Sequence, residues 1–139
     1  MAGDGLMYLL DTNVWLERLL DREHSEDVAR FLNRIPGDHL FITDFSLHSI
    51  GVILARLKQA EALVRFLDDA FNYGAVRLVH LMPPDLAQVV ERISQFHLDF
   101  DDAYQYVAAE KYDLILVSFD KDFDRTGRKR KTPGEILAK

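Results

Sequence analysis

The sequence predicts an α/β domain of Rossmann-like type, with a central, mostly parallel sheet covered by helices on both faces. Three observations carry that expectation. Short apolar runs at residues 6–10, 39–42, 76–80 and 114–117 alternate with stretches of helical periodicity, which is the pattern of strands joined by crossover helices. The first and last of these runs end in polar turns, Asp11-Thr12-Asn13 and Ser118-Phe119-Asp120, as buried strands do when they reach a sheet edge. The chain has 139 residues, 48% of them hydrophobic, enough for one domain with a real core and too apolar for disorder.

Residues 6–10 read as the first buried strand, and Thr12 or Asn13 can cap the helix that follows through about Leu20. A second helix starts at Ser25 and carries Val28, Phe31 and Leu32 on one face. Ile35-Pro36-Gly37-Asp38 is a turn before the strand at 39–42. A helix over 45–57 has an apolar stripe of Ile50, Ile53, Leu54 and Leu57, and another spans about 60–71, closed by Asn72-Tyr73-Gly74. After the strand at 76–80, Pro83-Pro84-Asp85 opens a helix whose Leu86, Val89, Val90 and Ile93 keep the i, i+3, i+4, i+7 spacing. Asp101 or Asp102 begins the next helix, which runs to about Lys111. The strand at 114–117 is the clearest of the later ones, and Pro133 starts a short terminal helix. With no repeat, low-complexity tract or linker, residues 1–139 are expected to be a single domain.

Composition removes several classes of function. There are no cysteines, which excludes disulfides, thiolate nucleophiles and zinc–thiolate sites. No apolar run approaches the roughly 20 residues of a membrane span. No basic segment precedes an apolar one at the N-terminus, so no secretory signal is expected and the cytoplasm is the expected compartment. The formal net charge of −6 is unfavourable for a generic nucleic-acid binder. Its distribution is more informative. Asp99, Asp101, Asp102, Asp120, Asp122 and Asp124 are followed at once by Arg125, Arg128, Lys129, Arg130 and Lys131. An acidic pocket beside such a basic rim can engage a phosphate backbone despite the overall sign.

Asp11 ends one predicted strand, Asp120 follows another, and Asp102 opens a helix between them. The carboxyl ends of parallel strands share one edge, beyond which ligands bind. Carboxylates gathered there repel one another unless a hard cation sits between them, so a divalent-metal site is the leading reading. Each acid also has a plainer one. Asp11, and Asp101 or Asp102, can be helix caps, and Asp120-Lys121-Asp122 can be a solvated turn.

In their order, these residues resemble the PIN domain, the nuclease fold of VapC-like toxin ribonucleases. Leu9-Leu10-Asp11-Thr12-Asn13 resembles that family's first strand and its Asp-Thr/Ser-Asn turn. Asp102-Ala103 resembles its central acidic position, and Leu116-Val117-Ser118-Phe119-Asp120-Lys121-Asp122-Phe123 its late Thr/Ser-x-Asp-x-Asp-Phe segment. The resemblance spans nearly the whole chain. It implies a Mg²⁺- or Mn²⁺-dependent endoribonuclease with Asp11, Asp102 and Asp120 as catalytic metal ligands, Asp122 as a fourth ligand or a structural acceptor, and Asn13 and Ser118 orienting them from behind. One position departs from the pattern. Ser49 stands where the family places a glutamate, and a hydroxyl is a poorer ligand that brings no charge. The loss bears more on a two-ion site than on binding a single ion. The resemblance further implies RNA as substrate, a small antitoxin partner and a homodimer. Arg125, Arg128, Lys129, Arg130 and Lys131, close to Asp120 in sequence, are read either as contacts to phosphate or as a solvated surface.

The alternative within this fold is a catalytically weakened module that binds RNA or protein. A phosphatase of haloacid-dehalogenase type ranks lower, because it needs an acid two residues after its nucleophile, where Asn13 follows Asp11. A receiver-type phosphoacceptor would need a lysine after the late strand instead of Ser-Phe-Asp. His48 is expected to be partly buried and hydrogen-bonded, His80 to end a strand, Trp15 to sit in the core or a dimer interface, and Tyr104 and Tyr106 to pack.

Overall fold

The computed structural model describes residues 5–138. Its strands are β1 (Tyr8–Leu10), β2 (Leu40–Thr43), β3 (Arg77–Val79) and β4 (Ile115–Val117), all parallel and ordered β3-β2-β1-β4. Strand alternation explains why both faces are covered. Leu9, Phe41 and Leu116 enter one apolar cluster, while Tyr8, Leu10, Leu40, Ile42 and Val117 enter the other. Helices α5 (Leu86–Phe96) and α6 (Phe100–Tyr112) pack on the first face. The second is covered by α1 (Thr12–Leu19), α2 (Ser25–Arg34), α3 (Asp44–Arg56), α4 (Ala60–Leu67) and α7 (Pro133–Leu137).

This order puts the reversal of the chain's progress across the sheet between β1 and β4, where a doubly wound sheet opens a crevice at its carboxyl edge. Leu10 pairs with Val117 there, and the Asp11 amide donates to the Val117 carbonyl at 2.9 Å. The segment after β4 makes a 3₁₀ turn, Lys121–Arg125, and returns to lie parallel beside β4 at Lys131. Ser118 N donates to Lys131 O, and Lys131 N to Leu116 O. Asp120 and Asp122 therefore stand on a loop pinned to the sheet at both ends.

The expected α/β architecture is present, with differences at the ends of elements. The first strand begins at Tyr8 instead of residue 6. Helix 60–71 gives way after Leu67 to a widened π turn, Asp68–Tyr73. The chain turns there against its neighbour: a Cβ on Gly37 would lie 1.4 Å from the Gly74 carbonyl oxygen. Caps move as well. Asp11 itself caps α1, as its plainer reading had it, and neither Thr12 nor Asn13 does. Asp99 caps α6 through the Asp102 amide at 2.8 Å, so neither Asp101 nor Asp102 is the cap. That second shift releases the Asp102 carboxyl from a structural duty. Among the described residues, no helix is long and apolar enough to cross a membrane.

Candidate metal centre

Asp11 is 6% exposed and surrounded by donors. Its Oδ1 accepts from Thr12 N at 2.8 Å and from Gln105 Nε2 at 2.9 Å. Its Oδ2 accepts from Ser118 Oγ at 2.8 Å and, at 3.4 Å, from Asn13 Nδ2. Burial raises its pKa above the usual carboxylate value, the bonds from Gln105, Ser118 and Thr12 work against that, and the charge on Asp120 adds to it. Asn13 and Ser118 extend the arrangement toward the late loop. Ser118 Oγ accepts from Asn13 Nδ2 and from the Asp120 amide, and Asn13 Oδ1 accepts from Phe119 N.

Asp102, Asp120 and Asp122 form a different kind of cluster. One carboxylate oxygen from each lies within 4.8 Å of the others. Asp102 is 9% exposed, and no basic side chain among the described residues pairs with it. Its pKa is pushed up to about 8, first by burial, then by the charges on Asp120, Asp99 and Asp11, and by a hydrogen bond with Asp120. Three acids held this close, with one starved of donors, are the donor set a hard divalent cation takes. The residues present therefore fit Mg²⁺ or Mn²⁺. Asp11 is not a member of the 4.8 Å group, although its charge is felt at Asp102.

Helix α3 supplies no acid to this cluster. Ser49 is half-buried and makes no hydrogen bond among the described residues. The α3 side chain that reaches the network is Ser46, one turn earlier and fully buried, which accepts from Gln105 Nε2 at 2.8 Å and shares a hydrogen bond with Thr12 Oγ1. Gln105 was not among the residues singled out from the sequence. A signal for it exists: it is the one amide in the run 103–109, which is otherwise alanine, tyrosine and valine, and it follows Asp102 by three positions, on the same face of the helix.

The basic segment divides. Arg125 donates to the carbonyls of Phe96 and His97 and to Asp122. Arg130 holds both oxygens of Asp124 and the Ser118 carbonyl, buckling the acidic loop. Arg128 pairs with Asp113 and Leu114 O, at the start of β4 and so at the far edge from the acids. Lys129 and Lys131 are exposed and have no ion pair among the described residues.

The remaining residues are placed as follows. His48 is exposed and unbonded among the described residues, contrary to the expectation of a partly buried, hydrogen-bonded side chain, because it lies on the outward face of α3. His80 follows β3 directly. Trp15 is core, edge-on to Phe66. Tyr106 is buried, and Tyr104 joins Leu81 N to Asp44. A cavity of about 590 Å³ opens between α1, α2 and α4 beside Trp15, Arg18 and Arg65, and shares no residue with the acidic cluster.

The toxin–antitoxin complex of Klebsiella pneumoniae aligns at 18% identity and a TM-score of 0.72, covering 91% of this chain and 97% of that one. Mycobacterium tuberculosis VapC20, described as a sarcin-ricin loop cleaving toxin, aligns at 19% identity and 0.73, covering 86% and 95%. FitAcB of Neisseria gonorrhoeae aligns at 20% and 0.74, covering 92% and 99%. No curated protein matches by sequence. These identities speak for the fold alone, but the PIN domain profile matches residues 8–129. The chain belongs to the PIN domain family.

Proposed function

We propose that this PIN domain is a Mg²⁺- or Mn²⁺-dependent endoribonuclease resembling the toxin of a toxin–antitoxin pair, hydrolysing RNA phosphodiester bonds. The observation that carries the reading is the approach of Asp102, Asp120 and Asp122 to within 4.8 Å at the carboxyl edge of the sheet. When bound, such a cation polarises a phosphoryl oxygen and activates water for attack. Asp102, Asp120 and Asp122 are its holders in this reading, with Asp11 behind them held by its own donors. Without a cation, Asp102 keeps a proton and shares a hydrogen bond with Asp120. Asn13 and Ser118 fix the loop that carries Asp120. Lys131, beside the end of β4 and exposed, is the cation we assign to an RNA phosphate.

The test is Mn²⁺ calorimetry together with RNA cleavage, for wild type and Asp120→Asn. Binding and cleavage lost together in the variant support the reading. Cleavage that persists in the variant under chelation sinks it. A second reading rests on Ser49: with no acid from α3 in the cluster, the domain is a weakened PIN module that binds RNA or protein without turnover. Mn²⁺ and RNA binding with no cleavage would select it. The solved neighbours that are toxin–antitoxin complexes support a small inhibitory protein as partner, and the family resemblance supports a homodimer and a cytoplasmic site of action.

A further inference from the structure

Gln105 is 1% exposed in the middle of α6, where a primary amide has to satisfy two donors and a carbonyl at once. All three are met. The carbonyl oxygen accepts from Thr43 Oγ1 at 2.6 Å, and the nitrogen donates to Asp11 Oδ1 at 2.9 Å and to Ser46 Oγ at 2.8 Å. Thr43 is itself committed, because its hydroxyl oxygen caps α3 by accepting from Ser46 N at 3.0 Å. Its proton is donated to the Gln105 carbonyl, and on the other side the acceptor Asp11 Oδ1 takes the nitrogen, so the amide faces Asp11 with its donors.

That orientation connects two things. On one side, Asp11 Oδ1 is held by Gln105 while Oδ2 is held by Ser118, whose hydroxyl also receives the Asp120 amide. On the other, Gln105 lies one helical turn after Asp102 on α6, so one helix both supplies an acid to the cluster and fixes the carboxylate behind it. Helix α3, with a serine at position 49, is linked to Asp11 through Ser46, which bonds this amide and Thr12.

We propose that Gln105 is a positioning residue of the acidic site: its amide, locked by Thr43, clamps the buried Asp11 carboxylate behind the Asp102, Asp120 and Asp122 cluster and couples α3 to it. The proposal rests on the cation-site reading above and concerns a residue that touches neither cation nor substrate. A purely structural glutamine would contribute to stability alone. A positioning glutamine acts on cation affinity, and acts there through Asp11.

The experiment is a double-mutant cycle on Gln105→Met and Asp11→Asn, read by Mn²⁺ calorimetry and by thermal unfolding in chelator. Methionine keeps the length of the side chain and removes its donors; Gln105→Leu replaces it if the methionine variant does not fold. Gln105→Met is expected to weaken Mn²⁺ binding about tenfold, as loss of a residue that orients a metal site does. In the Asp11→Asn background the same change is expected to weaken it no further. Tyr106→Phe, which removes a buried hydroxyl from the same helix that serves Arg128 N, is expected to leave Mn²⁺ affinity unchanged. Wild-type affinity in Gln105→Met, or losses that multiply in the double variant, overturns the proposal. Absence of Mn²⁺ binding by wild type overturns the cation-site reading and this proposal together, whereas wild-type binding with unaltered affinity in Gln105→Met overturns this proposal alone.

Discussion

Asp11 and Asp102 lie at the same sheet edge, and burial pushes both carboxyls above their usual range, yet their surroundings are opposite. Asp11 is enclosed by donors from Thr12, Gln105, Ser118 and Asn13. Asp102 is enclosed by acids, with Asp120, Asp99 and Asp11 all raising it. A buried carboxylate whose lone pairs are filled by protein donors has part of its burial cost offset whether or not a ligand arrives. One facing other carboxylates is stabilised only by a proton or a cation. The contrast separates an acid satisfied by protein donors from acids that a cation would satisfy.

The sharpest way to break the contrast is to remove an acid from the needy group. Asp120→Asn is expected to lower Mn²⁺ affinity by more than about a hundredfold, since it deletes one holder and the strongest charge acting on Asp102. Calorimetry measures this directly. An Asp120→Asn variant that binds Mn²⁺ like wild type would place the cation elsewhere.

Stability without metal should then show opposite signs for the two acids. For Asp102 the pKa rises from 3.8 to about 8, so the folded protein holds a proton that the unfolded chain releases above pH 4. Stability therefore falls as pH rises through that window. Asp102→Asn abolishes the fall, and in chelator at pH 8 it is expected to unfold about 3 °C or more above wild type, with no gain at pH 4. Asp11→Asn offers Thr12 and Gln105 one acceptor but sets an amide against Ser118 and Asn13. It is expected to unfold a few degrees lower, a loss of about 1–2 kcal/mol. Thermal scans in chelator at both pH values check the pair, and equal signs would erase the distinction.

The same contrast explains what could be read from the chain. The sheet was legible because β1, β2 and β4 alternate sides between two apolar clusters, which leaves continuous apolar runs in the sequence. The three aspartates were legible because two end strands and one opens a helix. The partners of Asp11 were only half legible. Asn13 and Ser118 lie next to motif acids, whereas Gln105 is 94 residues distant from Asp11 along the chain and meets it only through helix packing, as does Ser46, which holds Gln105. The cap exchange from Asp102 to Asp99 was invisible for a similar reason: a run of acids offers several caps, and backbone geometry chooses among them. His48 was misjudged because its apolar neighbours Leu47 and Ile50 suggest burial, whereas the helix turns position 48 outward.

Substituting Ser49→Glu sharpens the contrast from the other side. Position 49 is half-buried, one turn beyond Ser46 on α3, so a carboxylate there joins the acids and not the donors. Mn²⁺ affinity is expected to rise by about threefold to tenfold, with a small loss of stability in chelator from the added repulsion. Calorimetry and a thermal scan read the two effects separately; unchanged affinity would mean that α3 stands too far from the cluster to contribute.

The smallest effect concerns the rim beyond both acids. Sequence alone treats the five basic residues from Arg125 to Lys131 as one phosphate-facing group, but their side chains are not equivalent. Arg125 and Arg130 are engaged with α5 and the acidic loop, and Arg128 is bound at the opposite end of β4. Lys131 pairs with Val117 at the carboxyl end and keeps its charge exposed. Each phosphate neutralised on a single strand releases counterions and contributes about 0.7 to the slope of log affinity against log salt. Lys131→Ala is therefore expected to reduce that slope by about 0.7 and weaken RNA binding a few-fold at moderate salt, while Arg128→Ala leaves the slope unchanged. Fluorescence anisotropy with a labelled RNA across a salt series, in Ca²⁺ to hold cleavage off, measures both. If Arg128→Ala flattens the slope and Lys131→Ala does not, the RNA runs along the far edge of the sheet and the acids at the near edge are not where it is cut.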